Sequence, residues 1–149
     1  MSKTISFRGQ LPIGTEDRIK LSTIKGKTGY KINKFQIMSN SPGATGSVEL
    51  VCQIFNKSQE GSIGPIVNFT DSELLAVAYQ QDHVDSAYPA SEVIVFDNAV
   101  FNQDIFISVD DAGSGTVPCN YYIELETMDL SEVETTMLTL KNLRTITSR

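Results

Sequence analysis

The sequence predicts an all-β fold: one domain over 1–149, an antiparallel, jelly-roll-like β-sandwich with two short helices. Three observations carry this. Apolar and polar residues alternate with period two in one segment after another, which puts one row of side chains on a buried face. Helical periodicity is confined to two short stretches. Loops of moderate length, rich in Gly, Pro, Asn and Asp, separate some eight alternating runs, as in two-sheet β-domains.

The elements follow in order. Ile5 and Phe7 alternate with Thr4, Ser6 and Arg8, and Ile19 and Leu21 with Arg18, Lys20 and Ser22. Lys25-Gly-Lys27 reads as a hairpin-like turn. Tyr30 and Ile32 point one way, and Phe35 and Ile37 the other. That phase change near Lys34 predicts a bulge or a strand buried on both faces. After a loop at 39–46, Val48, Leu50, Cys52 and Ile54 form an inward row. Further strands are expected over 63–69, 92–96, 101–109 and 118–128. In the last of these, Cys119, Tyr121, Ile123 and Leu125 share one face. Asp110-Asp-Ala-Gly-Ser-Gly115 reads as a turn. Thr70-Asp-Ser-Glu73 has capping-box spacing before Leu74-Leu-Ala-Val-Ala-Tyr79, which predicts a short helix at 71–79. Ser131-Glu-Val-Glu134 repeats that spacing and predicts a helix at 132–144, with Val133, Met137 and Leu140 on one stripe.

Composition bounds the function more than it names it. With 149 residues, 40% hydrophobic and 20% charged, the chain is the size of one folded domain. It holds no apolar run of membrane-spanning length, and the start has no apolar region of the secretory kind. A net charge of −6 argues against a broad nucleic-acid footprint. Cys52 and Cys119 lack metal-ligand spacing and each falls on the apolar face of its strand, so both are expected as buried free thiols.

The charges are segregated. Residues 1–57 hold nine Lys and Arg against three acids, while 58–140 hold fifteen acids and no Lys or Arg. Either strands from the two parts interleave so that opposite charges meet across a sheet, or the surface keeps a basic and an acidic face for docking. On the second reading the docking residues are Arg18, Lys20, Lys25, Lys27, Lys31 and Lys34. On the first, the same lysines are a solvated strand face that also protects sheet edges.

No catalytic, metal-binding or cofactor-binding residue is predicted. His83 is the single histidine and its polar context reads as surface. Nucleophile elbow, dinucleotide fingerprint, P-loop and zinc-protease motifs are missing from the sequence. The carboxylate pairs Asp82/Asp85, Asp97/Asp104, Asp110/Asp111 and Glu124/Glu126 are what fifteen acids supply by chance. The 110–115 loop has the oxygen ligands that calcium favours, without EF-hand spacing.

Several segments carry a resemblance: Gly29-Tyr-Lys-Ile-Asn-Lys-Phe-Gln-Ile-Met38, Asn68-Phe-Thr-Asp71 with Leu74–Tyr79, Phe96-Asp-Asn98 with Asn102-Gln-Asp-Ile105, Asn120-Tyr-Tyr-Ile-Glu-Leu-Glu126 and Thr139-Leu-Lys-Asn-Leu-Arg144. With these the chain resembles small β-rich virion proteins of marine tailed phages, many of them infecting cyanobacteria. The resemblance implies a non-enzymatic capsid decoration (cement) protein on the head exterior, made in the host cytoplasm. Its partners would be the major capsid protein or other virion proteins, with homo-oligomerisation on the lattice and no nucleic acid or membrane contact. The resemblance brings no site motif with it. A tail or head-fibre component is the alternative within virions. A carbohydrate-binding β-sandwich is the alternative outside them, with Tyr79, Tyr88, Tyr121 and Tyr122 as its candidate aromatics.

Overall fold

The computed structural model describes residues 3–42, 47–83, 90–96, 99–113 and 115–147. Among the described residues nine strands and one helix run in the order β1 (Lys3–Leu11), β2 (Thr15–Ile19), β3 (Thr28–Ser39), β4 (Ser47–Phe55), β5 (Leu74–His83), β6 (Ala90–Val95), β7 (Val100–Phe101), β8 (Ile105–Asp111), β9 (Cys119–Asp129) and α1 (Glu132–Thr147). They form a four-stranded sheet, β1-β9-β3-β7, and a five-stranded sheet, β2-β8-β4-β5-β6. Every pairing is antiparallel. The pairings nest inward from the two ends of the chain: β1 with β9, β2 with β8, β3 with β7, β4 with β5, successive pairs alternating between sheets. That is the jelly-roll order, with β6 added at the β5 edge.

The predicted inward rows meet between the sheets. Ile32, Phe35, Ile123 and Leu125 from one sheet pack with Leu50, Ile54, Ile105 and Ile107 from the other in one buried cluster. Full burial of such a side chain contributes about 1.5–3 kcal/mol. The phase change in β3 is a bulge between Ile32 and Lys34, where the register against β9 shifts. Asn33 is the extra residue; it keeps both Ile32 and Phe35 inward.

Two expectations are corrected. Residues 71–79 are not a helix: Leu74–His83 is strand β5, between β4 and β6. Thr70 does not cap anything helical; Asn68 Oδ1 accepts the Thr70 N–H at 3.0 Å, and Asp71 Oδ1 the Glu73 N–H at 2.9 Å, as turns leading into the strand. The apolar run shows no alternation because the strand from Leu74 to Ala78 is buried on both faces. Leu75, Ala76 and Ala78 belong to the core between the sheets, and Val77 is covered from outside. Residues 63–69 are not a strand either; they supply that outer cover. Gln53 Nε2, buried on the outer face of β4, donates to the carbonyls of Gly64 and Ile66 at 3.4 and 3.3 Å. A smaller difference concerns Leu21, buried at 5% exposure but lying past the end of β2. Lys25-Gly-Lys27 is a turn, with Gly26 at φ +62°, but it joins β2 to β3 across the two sheets and closes no hairpin.

Candidate functional site

The six basic residues do not form one patch. Lys31 and Lys34 lie on β3, in register opposite Glu126 and Glu124 of β9. Cross-strand neighbours of opposite charge stabilise a sheet by a few tenths of a kcal/mol up to about 1 kcal/mol. Here the interleaving of the basic segment, 1–57, with the acidic one, 58–140, is visible directly. Arg18 belongs to β2 of the other sheet. Its Nε donates to Asp104 Oδ2 at 2.6 Å, and its guanidinium lies 6.0 Å from the centre of the Phe106 ring. Lys20, Lys25 and Lys27 lie in the 20–27 connection, where Lys20 and Lys25 are exposed and Lys27 Nζ stands 3.6 Å from Glu132 at the start of α1.

Several acids have structural partners. Asp104 Oδ1 accepts the backbone N–H groups of Leu21 and Ser22 at 2.8 and 2.9 Å, while Oδ2 holds Arg18. Burial pushes the Asp104 pKa up, but the Ser22, Leu21 and Arg18 hydrogen bonds outweigh it, so the group ends below the usual carboxylate value. Asp111 braces the 112–113 turn: Oδ1 accepts Gly113 N–H at 2.8 Å and Oδ2 accepts Glu49 N–H at 3.2 Å. Tyr122 donates its hydroxyl to Glu124 at 3.0 Å. Asp85, Asp97, Ser114 and Tyr88 lie outside the described residues, as does the side chain of His83. Among the described residues no group of three His, Cys, Asp or Glu side chains could hold a metal ion, and no helix is long and apolar enough to cross a membrane.

Three of the candidate tyrosines do come together. Tyr79, Tyr121 and Tyr122 line an open groove of about 800 Å³ with Gln10, Gln36 and Asn120. Tyr121 is the least available of the three: it is buried, and its hydroxyl donates to Asp17 of β2 at 3.1 Å. Burial, then the Asp17 charge, raises its pKa well above the ordinary tyrosine value.

The sequence places α1, but not the direction in which its apolar face points. Its start is the predicted capping box, with Ser131 Oγ accepting Glu134 N–H and Glu134 Oε1 accepting Ser131 N–H, both at 3.2 Å. The helix then packs through its less apolar face. Asn102, 1% exposed, donates through Nδ2 to the Gly26 carbonyl at 3.0 Å and to Thr139 Oγ1 at 3.1 Å. Leu138 and Asn142 line a cavity of about 230 Å³ with Phe101 and Asn102. The predicted stripe points away from the core: Val133, Met137 and Leu140 are 69%, 65% and 56% exposed, and Leu143 beside them 52%. Periodicity shows that a helix has an apolar face, but it cannot say whether that face meets the same chain or another one.

No family model matches the chain, and no curated protein matches it.

Proposed function

We propose that this jelly roll is a non-enzymatic structural protein that works by docking, as a decoration component on the outer surface of a tailed-phage head. The observation that carries the docking part is the outward apolar face of α1, held on the sandwich by Asn102. Contiguous apolar side chains rimmed by polar ones are kept exposed where a partner covers them. The virion part is supported by the sequence resemblance, and a tail or head-fibre position draws on the same support. The test is co-sedimentation with empty heads assembled from the major capsid protein encoded in the same genome. Saturable attachment that Met137→Glu weakens is the expected result. Heads that leave the protein in the supernatant at every concentration would overturn the reading.

A second reading has one observation in its favour. The groove that joins Tyr79 and Tyr122 to three side-chain amides offers rings for stacking and planar donors and acceptors for hydroxyls, the combination that binds sugars. A glycan array separates the two: selective glycan binding lost in Tyr122→Ala favours this reading.

A further inference from the structure

We infer that the exposed face of α1 is a self-recognition surface on which a second copy of this chain docks antiparallel, helix against helix. The inference rests on the reading of α1 as a docking face and names its occupant.

The spacing comes first. Val133, Met137 and Leu140 follow one another at four and three residues, the interval of a helical seam that a second helix fills. The residues at the opposite positions of the same repeat, Thr135, Leu138, Thr139 and Asn142, are the ones turned toward the sandwich. The seam is therefore presented outward along a helix of 16 residues, about 24 Å long at 1.5 Å per residue.

Charge then selects the occupant. The acids of α1, Glu132 and Glu134, lie in its first turn, and Lys141 and Arg144 lie in its second half. The helix is thus neutral within a chain of net charge −6 and complementary to its own reverse. In an antiparallel pair, Met137 of one copy sits over Leu140 of the other. Glu134 then flanks the seam beside Lys141 of the second copy, twice over by symmetry. The other flank is uncharged, with Thr136 of each copy facing Leu143 of the other. Within the chain Lys27 stands against Glu132 and Glu134 Oε1 accepts the Ser131 N–H, so the second copy meets the other carboxylate oxygen of Glu134. Opposed helix dipoles favour the same orientation. A parallel pair would stack acid on acid and base on base. The arrangement is isologous and closes at two copies.

The contact is one helix wide, at the small end of interface sizes, so the dimer is weak, with a dissociation constant on the order of 10–100 µM.

Sedimentation equilibrium of the full chain, from about 5 µM to about 1 mM, brackets that range and tests this. The wild type is expected to pass from monomer to dimer and stop there. Leu140→Glu is expected to remain monomeric, with an unchanged far-ultraviolet dichroism spectrum because the side chain is exposed. Glu134→Lys and Lys141→Glu should each weaken the dimer at least tenfold, with the dichroism spectrum reading separately the loss of the Glu134–Ser131 capping bond, and the double variant E134K/K141E should bind more tightly than either single variant. That rescue belongs to the antiparallel register. A dimer in which both single changes are silent, or in which the double change is additive, overturns the orientation. A wild type that stays monomeric throughout overturns self-recognition. If Met137→Glu nevertheless weakens attachment to heads, the docking reading survives without it; if Met137→Glu alters neither property, both readings fall.

Discussion

Cys52 on β4 and Cys119 on β9 meet between the two sheets as neighbouring free thiols, 0% and 1% exposed. Burial, followed by the hydrogen bond to Cys119, drives the Cys52 pKa well above that of a free thiol, so it stays protonated. Cys119 in turn directs its thiol at the Asn120 carbonyl, 3.5 Å away.

Both thiols are therefore expected to be inert in the native state. Ellman's reagent should titrate close to none at mildly alkaline pH and both after denaturation, and the intact mass should show no loss of two hydrogens. Fast titration of either thiol in the folded protein would contradict the packing.

Asp104→Asn is expected to destabilise the fold by about 2 kcal/mol at pH 7. Most of that belongs to the two backbone bonds, because the Arg18 side chain is 57% exposed and water weakens its share. The folded pKa of Asp104 is depressed, so its contribution is full above the unfolded value of 3.8 and disappears as pH falls through the folded value. Urea midpoints of wild type and variant should accordingly differ at pH 7 and converge as pH falls from 3.8 through the lower folded value.

Gly9→Ala is expected to cost about 1–3 kcal/mol. A Cβ at position 9 would lie 2.8 Å from the Tyr121 hydroxyl oxygen and 2.9 Å from its ring, which crosses β1 toward Asp17. Tyr121→Phe keeps the ring and removes only the Asp17 hydrogen bond, so it should cost about 1 kcal/mol. Thermal melts of both variants measure the difference.

Reversing the lysines should split them into two groups. Lys31→Glu with Lys34→Glu puts like charges in register opposite Glu126 and Glu124, and should lower stability by about 0.5–2 kcal/mol in total. Lys20→Glu with Lys25→Glu changes exposed loop positions and should leave the melting temperature within error. If only the second pair weakens attachment to heads, docking involves the 20–27 connection beside α1.

Legibility from sequence followed local burial. A strand with one dry and one wetter face, such as β9, declares itself by alternation, and the β3 bulge shows as a change of phase; β4 keeps a legible inward row although Val51, Gln53 and Phe55 on its outer face are buried as well. β5 does not, because a segment covered on both sides has no polar face to mark its period. The cover itself, 63–69, is apolar for the sake of Val77 and Phe55 and so imitates a strand. Asp104 reads in the sequence as one acid among fifteen; its task, gathering two N–H groups 82 and 83 residues away, leaves no local trace.

The nested strand order also governs when this fold can form. β1 and β3, residues 3–11 and 28–39, have β9 as their shared neighbour, which inserts between them. A ribosome must therefore release residue 129 before either can complete its hydrogen bonds along that side. Until then both carry bare edges in a crowded cell, where such edges invite pairing with other chains. Closure between partners as far apart in the chain as Gln10 and Asn120 is slow compared with local structure. Yield of folded protein should then depend on what happens to the waiting strands, and the lysines of β3, solvated before β9 arrives, hold that edge apart from its copies.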